Sequence, residues 1–267
     1  NSRNGLAMIN LTCQYPSTWN MPALMFGTIK NKLGETLDYT FHGGSANCRD
    51  LLIIGHGVTG NKDRPFVVAL ADAVSASGIN VIRFSFAGNG DSDGEFQECT
   101  ISKEVGDLQA VLSVVEDKNY RAIYAGHSMG GAVGVLTAAK DSRIRFLISL
   151  AGMVSTEKFY DTEFGEETPD TGCMWEEPDC PLSSAFKNDL KGIHSTAPQA
   201  AQVTVPWLLV HGTEDDVVLI DDSQEAYSLA SEPKKLVEIE GANHVFSEDG
   251  QKPMIEAVIG WLQTNLD

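Results

Sequence analysis

No apolar run in the chain approaches the roughly 18 residues that a membrane-crossing helix needs. Positive charge is scarce: 19 Lys and Arg stand against 37 Asp and Glu, a net charge of −18. Such a balance gives nucleic acid no basic footprint to bind and disfavours anionic membrane surfaces. Cysteine is sparse as well. Cys13, Cys48, Cys99, Cys173 and Cys180 make an odd count with no CxxC pair and no histidine at ligand spacing. This argues against a structural zinc and against a full disulfide framework, although Cys173 and Cys180 are near enough in the chain to bridge in an oxidising compartment. Residues 1–22 lack the basic-then-apolar layout of a signal peptide. They are read as an N-terminal extension, and a cytoplasmic location is expected over a secreted one. Neither an internal repeat nor a low-complexity tract is present.

What the chain does have is a rhythm. Short apolar, β-branched runs at 24–30, 37–42, 51–55, 79–84, 121–125, 144–150, 206–211 and 235–240 read as strands. Helical patterns fall at 64–77, 102–117, 130–140, 221–231 and 251–265. From residue 51 onward strands and helices alternate, which predicts an α/β fold with a mostly parallel, eight-stranded sheet and helices on both faces. Leu51, Leu52, Ile53 and Ile54 run without polar alternation, as in a strand buried on both sides. The first two strands read as a hairpin turned near Lys32–Gly34 and feeding into the sheet edge.

One interval breaks the pattern. Between Leu150 and Pro206 lie 55 residues, far more than a crossover requires and too many for a structureless loop. The expectation is a core over 23–152 and 201–267, with residues 153–200 inserted as a small cap over the strand ends. The aromatics of the insert, Phe159, Tyr160, Phe164 and Trp175, are the expected substrate contacts. Acid is concentrated here too: residues 153–189 carry a net −8, against −10 for the other 230. Placed over a mouth, that charge should disfavour anionic substrates.

Residues 126–130 read Gly-His-Ser-Met-Gly, a G-x-S-x-G set directly after one strand and directly before a helix. A sharp strand-to-helix turn lifts the Ser128 hydroxyl above the sheet, and the flanking glycines let neighbouring backbones approach. The helix that follows offers its positive end to a developing oxyanion. A serine nucleophile needs a base, and the base needs an acid to orient it. Past the strand at 206–211 stand Glu214, Asp215 and Asp216; Asp215 is the expected acid, with Asp216 as the alternative. Of six histidines, His244 combines the order serine, acid, histidine with a loop after the last strand, and is the expected base. His56 fits a loop-shaping role better. Backbone N–H groups of Met129 and, from the loop after 51–55, Val58 are the expected oxyanion donors. The loop Gly88-Asn89-Gly90-Asp91-Ser92-Asp93-Gly94 has neither the Lys-Ser/Thr of a phosphate loop nor the Glu of a calcium loop.

The stretches HGVTGNKD (56–63), RFSFAGNGDSDGEF (83–96), GHSMGG (126–131), HGTEDDVV (211–218) and IEGANHVFS (239–247) resemble the α/β-hydrolases. Within that superfamily the chain is similar to bacterial cinnamoyl and feruloyl esterases, and more distantly to serine aminopeptidase-like hydrolases. The resemblance runs from about residue 24 to 265. It implies an α/β-hydrolase fold, with Ser128 as nucleophile, His244 as base and Asp215 as orienter, and a small-molecule ester as substrate, with no metal or cofactor. Val58 and Met129 stand where the family often has Phe and Gln, so a wider acyl pocket is expected. Two alternatives stay open: a peptidase of the aminopeptidase type acting on amides, and a ligand-binding relative with vestigial turnover.

Overall fold

The structure, a computed structural model, describes residues 25–266; the expected N-terminal extension and Cys13 lie outside the described residues. A short ribbon comes first, β1 (Ile29–Lys30) antiparallel to β2 (Thr36–Leu37). The main sheet follows: β3 (Tyr39–His42), β4 (Asp50–Gly55), β5 (Asn80–Phe84), β6 (Arg121–His127), β7 (Ile144–Leu150), β8 (Trp207–Gly212) and β9 (Lys234–Ile239). Its strand order is β3-β5-β4-β6-β7-β8-β9. β3 is antiparallel to β5, and the other neighbours are parallel. The main sheet therefore has seven strands, not the eight expected. The turn anticipated near Lys32–Gly34 does exist, but it closes the ribbon on itself. Asn31 Oδ1 accepts from the amides of Leu33 and Glu35, at 2.9 and 3.0 Å. Phe26 and Ile29 then bury against the hydrophobic core beside the sheet instead of extending its edge. At that edge the sheet ends with β3, and at the other with β9.

Helices fill the crossovers: α1 (Pro65–Ala76), α2 (Ile101–Asp117), α3 (Met129–Ala138), then α4 (Thr156–Phe164), α5 (Ser184–Ile193) and α6 (Ala197–Ala200) between β7 and β8, and finally α7 (Ile220–Leu229) and α8 (Gln251–Asn265). The unbroken apolar run of β4 makes sense once both faces are covered. Because side chains alternate across a strand, Leu52 and Ile54 join α1 and α8 in one core. Leu51 and Ile53 join α2, α3 and α7 in the other. No helix among the described residues is long and apolar enough to cross a membrane.

The interval between β7 and β8 is folded, as its length required. Phe159, Tyr160 and Phe164 of α4 and Phe186 and Leu190 of α5 are all buried. Ser183 caps α5 by accepting from the Phe186 amide at 3.1 Å. Two carboxylates tie the insert to the rest: Asp222 accepts from the amides of Val154 and Ser155 at 2.7 and 2.9 Å, and Asp189 accepts from the Ser102 amide and hydroxyl. Cys48, Cys99, Cys173 and Cys180 are free thiols.

Candidate active site

The carboxyl ends of the parallel strands converge on one cavity. β6 ends at His127, α3 begins at Met129, and Ser128 makes the corner between them with φ 53° and ψ −118°. A non-glycine residue in that region is strained and persists only where its surroundings over-determine it. The surroundings do so by close approach. A Cβ on Gly126 would lie 2.1 Å from the Gly130 carbonyl oxygen, and one on Gly130 would lie 2.5 Å from that of His56. The Ser128 amide donates to the Leu150 carbonyl at 3.0 Å, and the Ser128 carbonyl accepts from Met153, also at 3.0 Å. The corner is thus clamped to β7 from both sides.

Asp215 and His244 arrive from the turns after β8 and β9. The His244 Nδ1 donates to Asp215 Oδ2 at 2.8 Å. Asp215 is buried, whereas Asp216 is exposed, so the structure brings the first of the two acids to the histidine. The other carboxylate oxygen accepts from the amides of Val217 and Val218, at 3.0 and 2.9 Å. Burial alone would raise the Asp215 pKa. Hydrogen bonds from His211 and His244 outweigh it and hold the carboxyl well below its ordinary range.

His211 was not singled out from the sequence. Its side chain is fully buried, with Nε2 at 2.8 Å from the Val218 carbonyl and 3.1 Å from Asp215 Oδ2. Its Nδ1 lies 2.7 Å from the Ser223 hydroxyl. A polar ring at the end of a buried strand, four residues before the acid, was the signal available. Two further histidines are pinned nearby. The His127 Nε2 donates to the His244 carbonyl at 2.9 Å, and burial together with the neighbouring His244 lowers its pKa to about 3. His56 accepts from the Phe86 amide through Nε2 at 3.0 Å and donates through Nδ1 to the Gly57 carbonyl at 2.9 Å. Burial brings its pKa down to about 4. As a neutral ring tying the loop after β4 to the loop after β5, it has the loop-shaping place expected for it.

The cavity has a volume of about 330 Å³, and its wall includes His56, Val58, Arg64, Ser128, Trp175 and His244. Val58 sits in a tight turn in which the Gly60 amide donates to the Gly57 carbonyl at 3.0 Å. Met129 is the first residue of α3, where an amide has no partner within its own helix. Of the four aromatics expected to touch substrate, Trp175 lines this cavity and the other three do not. Phe159, Tyr160 and Phe164 are 6%, 2% and 1% exposed. These rings pack inward and join the hydrophobic core on that side of the sheet, with Phe159 and Tyr160 at 5.8 and 6.2 Å from Phe164. Phe159 borders a smaller adjoining cavity of about 80 Å³. Trp175 packs edge-on to Phe164 at 4.9 Å, and its indole N–H donates to Glu163 at 2.7 Å. Among the described residues, no three His, Cys, Asp or Glu side chains converge to hold a metal ion.

Residues 42–257 match the model of the alpha/beta hydrolase family. The chain belongs to that family. Its sequence is 26% identical over 237 residues to the uncharacterized protein YfhR of Salmonella typhi, covering 85% of this chain and 76% of that one. It is also 27% identical over 179 residues to the mitochondrial palmitoyl-protein thioesterase ABHD10 of Bos taurus, covering 61% of this chain and 56% of that protein. Among solved structures it is similar to Est1E from Butyrivibrio proteoclasticus with bound ferulic acid. The TM-score is 0.80 at 25% identity, covering 90% of this chain and 98% of that one.

Proposed function

We propose that the protein is a serine hydrolase that cleaves carboxylic esters through an acyl-enzyme. The observation that carries this reading is the His244–Asp215 hydrogen bond of 2.8 Å beside a cavity that Ser128 and His244 share. With Nδ1 committed to Asp215, the His244 Nε2 takes the Ser128 proton as the hydroxyl oxygen attacks the ester carbonyl. Asp215 fixes the tautomer and stabilises the imidazolium that forms. The amides of Met129 and Val58 receive the oxyanion. His244 then returns the proton to the departing alcohol, and water repeats the sequence to free the acid. The insert acts as a cap, with Trp175 as its contribution to the substrate wall.

The likeness to Est1E supports an ester substrate. The match to a palmitoyl-protein thioesterase favours thioesters as a second reading, since the same acyl transfer serves a thiol leaving group. The test is covalent: a fluorophosphonate should modify wild-type protein at Ser128 and leave Ser128→Ala unmodified. Asp215→Asn should slow labelling by orders of magnitude, while Asp216→Asn should match wild type. Absence of any adduct at Ser128, together with no turnover of short-chain or hydroxycinnamoyl esters or acyl thioesters, would overturn the proposal.

A further inference from the structure

The carboxylate of Asp215 has more than one imidazole on it. Its Oδ2 lies 2.8 Å from the His244 Nδ1 and 3.1 Å from the His211 Nε2. The protonation pattern of His211 follows from its partners. Both groups within reach of its Nε2, the Val218 carbonyl and the Asp215 carboxylate, are acceptors only, so Nε2 carries the hydrogen. The Nδ1 of the neutral ring then has a lone pair, which the Ser223 hydroxyl meets as a donor at 2.7 Å. His211, Asp215, Val218 and Ser223 are all buried, in β8, the turn after it and the start of α7.

We infer that His211, held in one tautomer by Ser223, is a positioning residue that sets the orientation and acidity of Asp215 for its work on His244. This rests on the reading of Ser128, Asp215 and His244 given above. The amides of Val217 and Val218 anchor Oδ1, so without the His211 donor Oδ2 would have His244 alone to hold it. Its charge would also weigh more heavily on His244, favouring the imidazolium that cannot accept the Ser128 proton. Loss of the donor should raise the acidity range of Asp215 too. Both effects push the acid limb of the reaction to higher pH. The titratable groups facing Asp215 are His211 from β8, His244 from the loop after β9 and, farther off, His127 at the end of β6. Asp222 is turned away, engaged with the amides of Val154 and Ser155.

A pair of amides separates positioning from mere packing. His211→Gln carries its side-chain N–H as far as the native Nε2 and can still reach Asp215. His211→Asn stops near the native Nδ1, keeping a polar partner for Ser223 but none for Asp215. The readout is the second-order rate at which a fluorophosphonate labels Ser128, followed from pH 4 to 9, with thermal melting as the folding control. The Asn variant should label about tenfold more slowly at neutral pH, with its acid limb displaced upward by about half a pH unit or more. The Gln variant should keep a limb close to wild type. If both variants melt alike and share the wild-type profile, or lose rate equally with no displacement of the limb, the inference is wrong. Should wild type itself fail to label, the underlying reading of the site fails instead. If the Asn variant does not fold, Ser223→Ala decides: an unmoved profile overturns the role assigned to the tautomer lock.

Discussion

Gly57 offers a test of how finely the nucleophile is placed. A Cβ built there would lie 2.7 Å from the Ser128 Cβ and 3.2 Å from its hydroxyl oxygen. It would also lie 3.1 Å from the His127 Nδ1. Comfortable carbon–carbon contact is about 3.5–4.0 Å, so Gly57→Ala asks roughly 1 Å of movement from the loop or from Ser128. The loop cannot yield freely, because the Gly57 carbonyl accepts from His56 at 2.9 Å and from the Gly60 amide at 3.0 Å. Ser128 cannot yield freely either, because its amide and carbonyl are both engaged with the segment at the end of β7. Misplacement of a reacting group by about 1 Å is worth on the order of a hundredfold in rate. Overpacking of this kind costs about 1–3 kcal/mol of stability. Gly57→Ala should therefore lose about two orders of magnitude in ester kcat/KM and in fluorophosphonate labelling, while melting only a few degrees below wild type. A variant that folds and labels at the wild-type rate would refute the claim that the loop after β4 fixes Ser128.

Two further outcomes follow from charge. Glu104 is 1% exposed, and neither carboxylate oxygen has a hydrogen-bond partner among the described residues. Burial, and then the nearby Asp107, raise its pKa well above the ordinary value of 4.5. The folded state therefore keeps its proton while the unfolded chain releases it, and each pH unit above the unfolded value costs up to about 1.4 kcal/mol. The stability of Glu104→Gln relative to wild type should rise between pH 5 and 7 in chemical denaturation and level off below pH 4; a difference independent of pH would refute this. Glu163 holds the indole of Trp175, which lines the cavity, and Glu166 and Glu167 are exposed. The combined Glu163→Gln, Glu166→Gln, Glu167→Gln variant keeps an acceptor for Trp175. It should hydrolyse negatively charged esters faster relative to neutral ones at low salt, the gain fading as salt screens it. An unchanged ratio at every salt concentration would leave the acidity of the insert without a role at the mouth.

Much of this protein was legible along the chain because the signals are local. The unalternating Leu51–Ile54 run, the helical periods of α1, α2 and α8, and the strand–turn–helix setting of Gly126–Gly130 each depend on near neighbours. They place Ser128, Asp215 and His244 just past three strand ends. Other features depend on partners far away in sequence, and there the chain was silent or misleading. Aromatic content pointed Phe159, Tyr160 and Phe164 at a substrate, but composition does not say which way a ring faces. Packing within the insert turned those three inward and left Trp175 on the cavity. The segment around Ile29 was apolar enough for the sheet, yet the closing of its turn by Asn31 made it a separate ribbon.

The sequence by itself determined the α/β alternation and the order of serine, acid and histidine, because period and turn chemistry are written in adjacent residues. Only the tertiary structure shows that Asp215, and not its neighbour Asp216 of identical chemistry, is buried against His244. Only it joined His127 to the His244 backbone across 117 residues. It also set His211 of β8 against Asp215 only four residues on, a contact that depends on how the turn after β8 folds and not on the spacing alone.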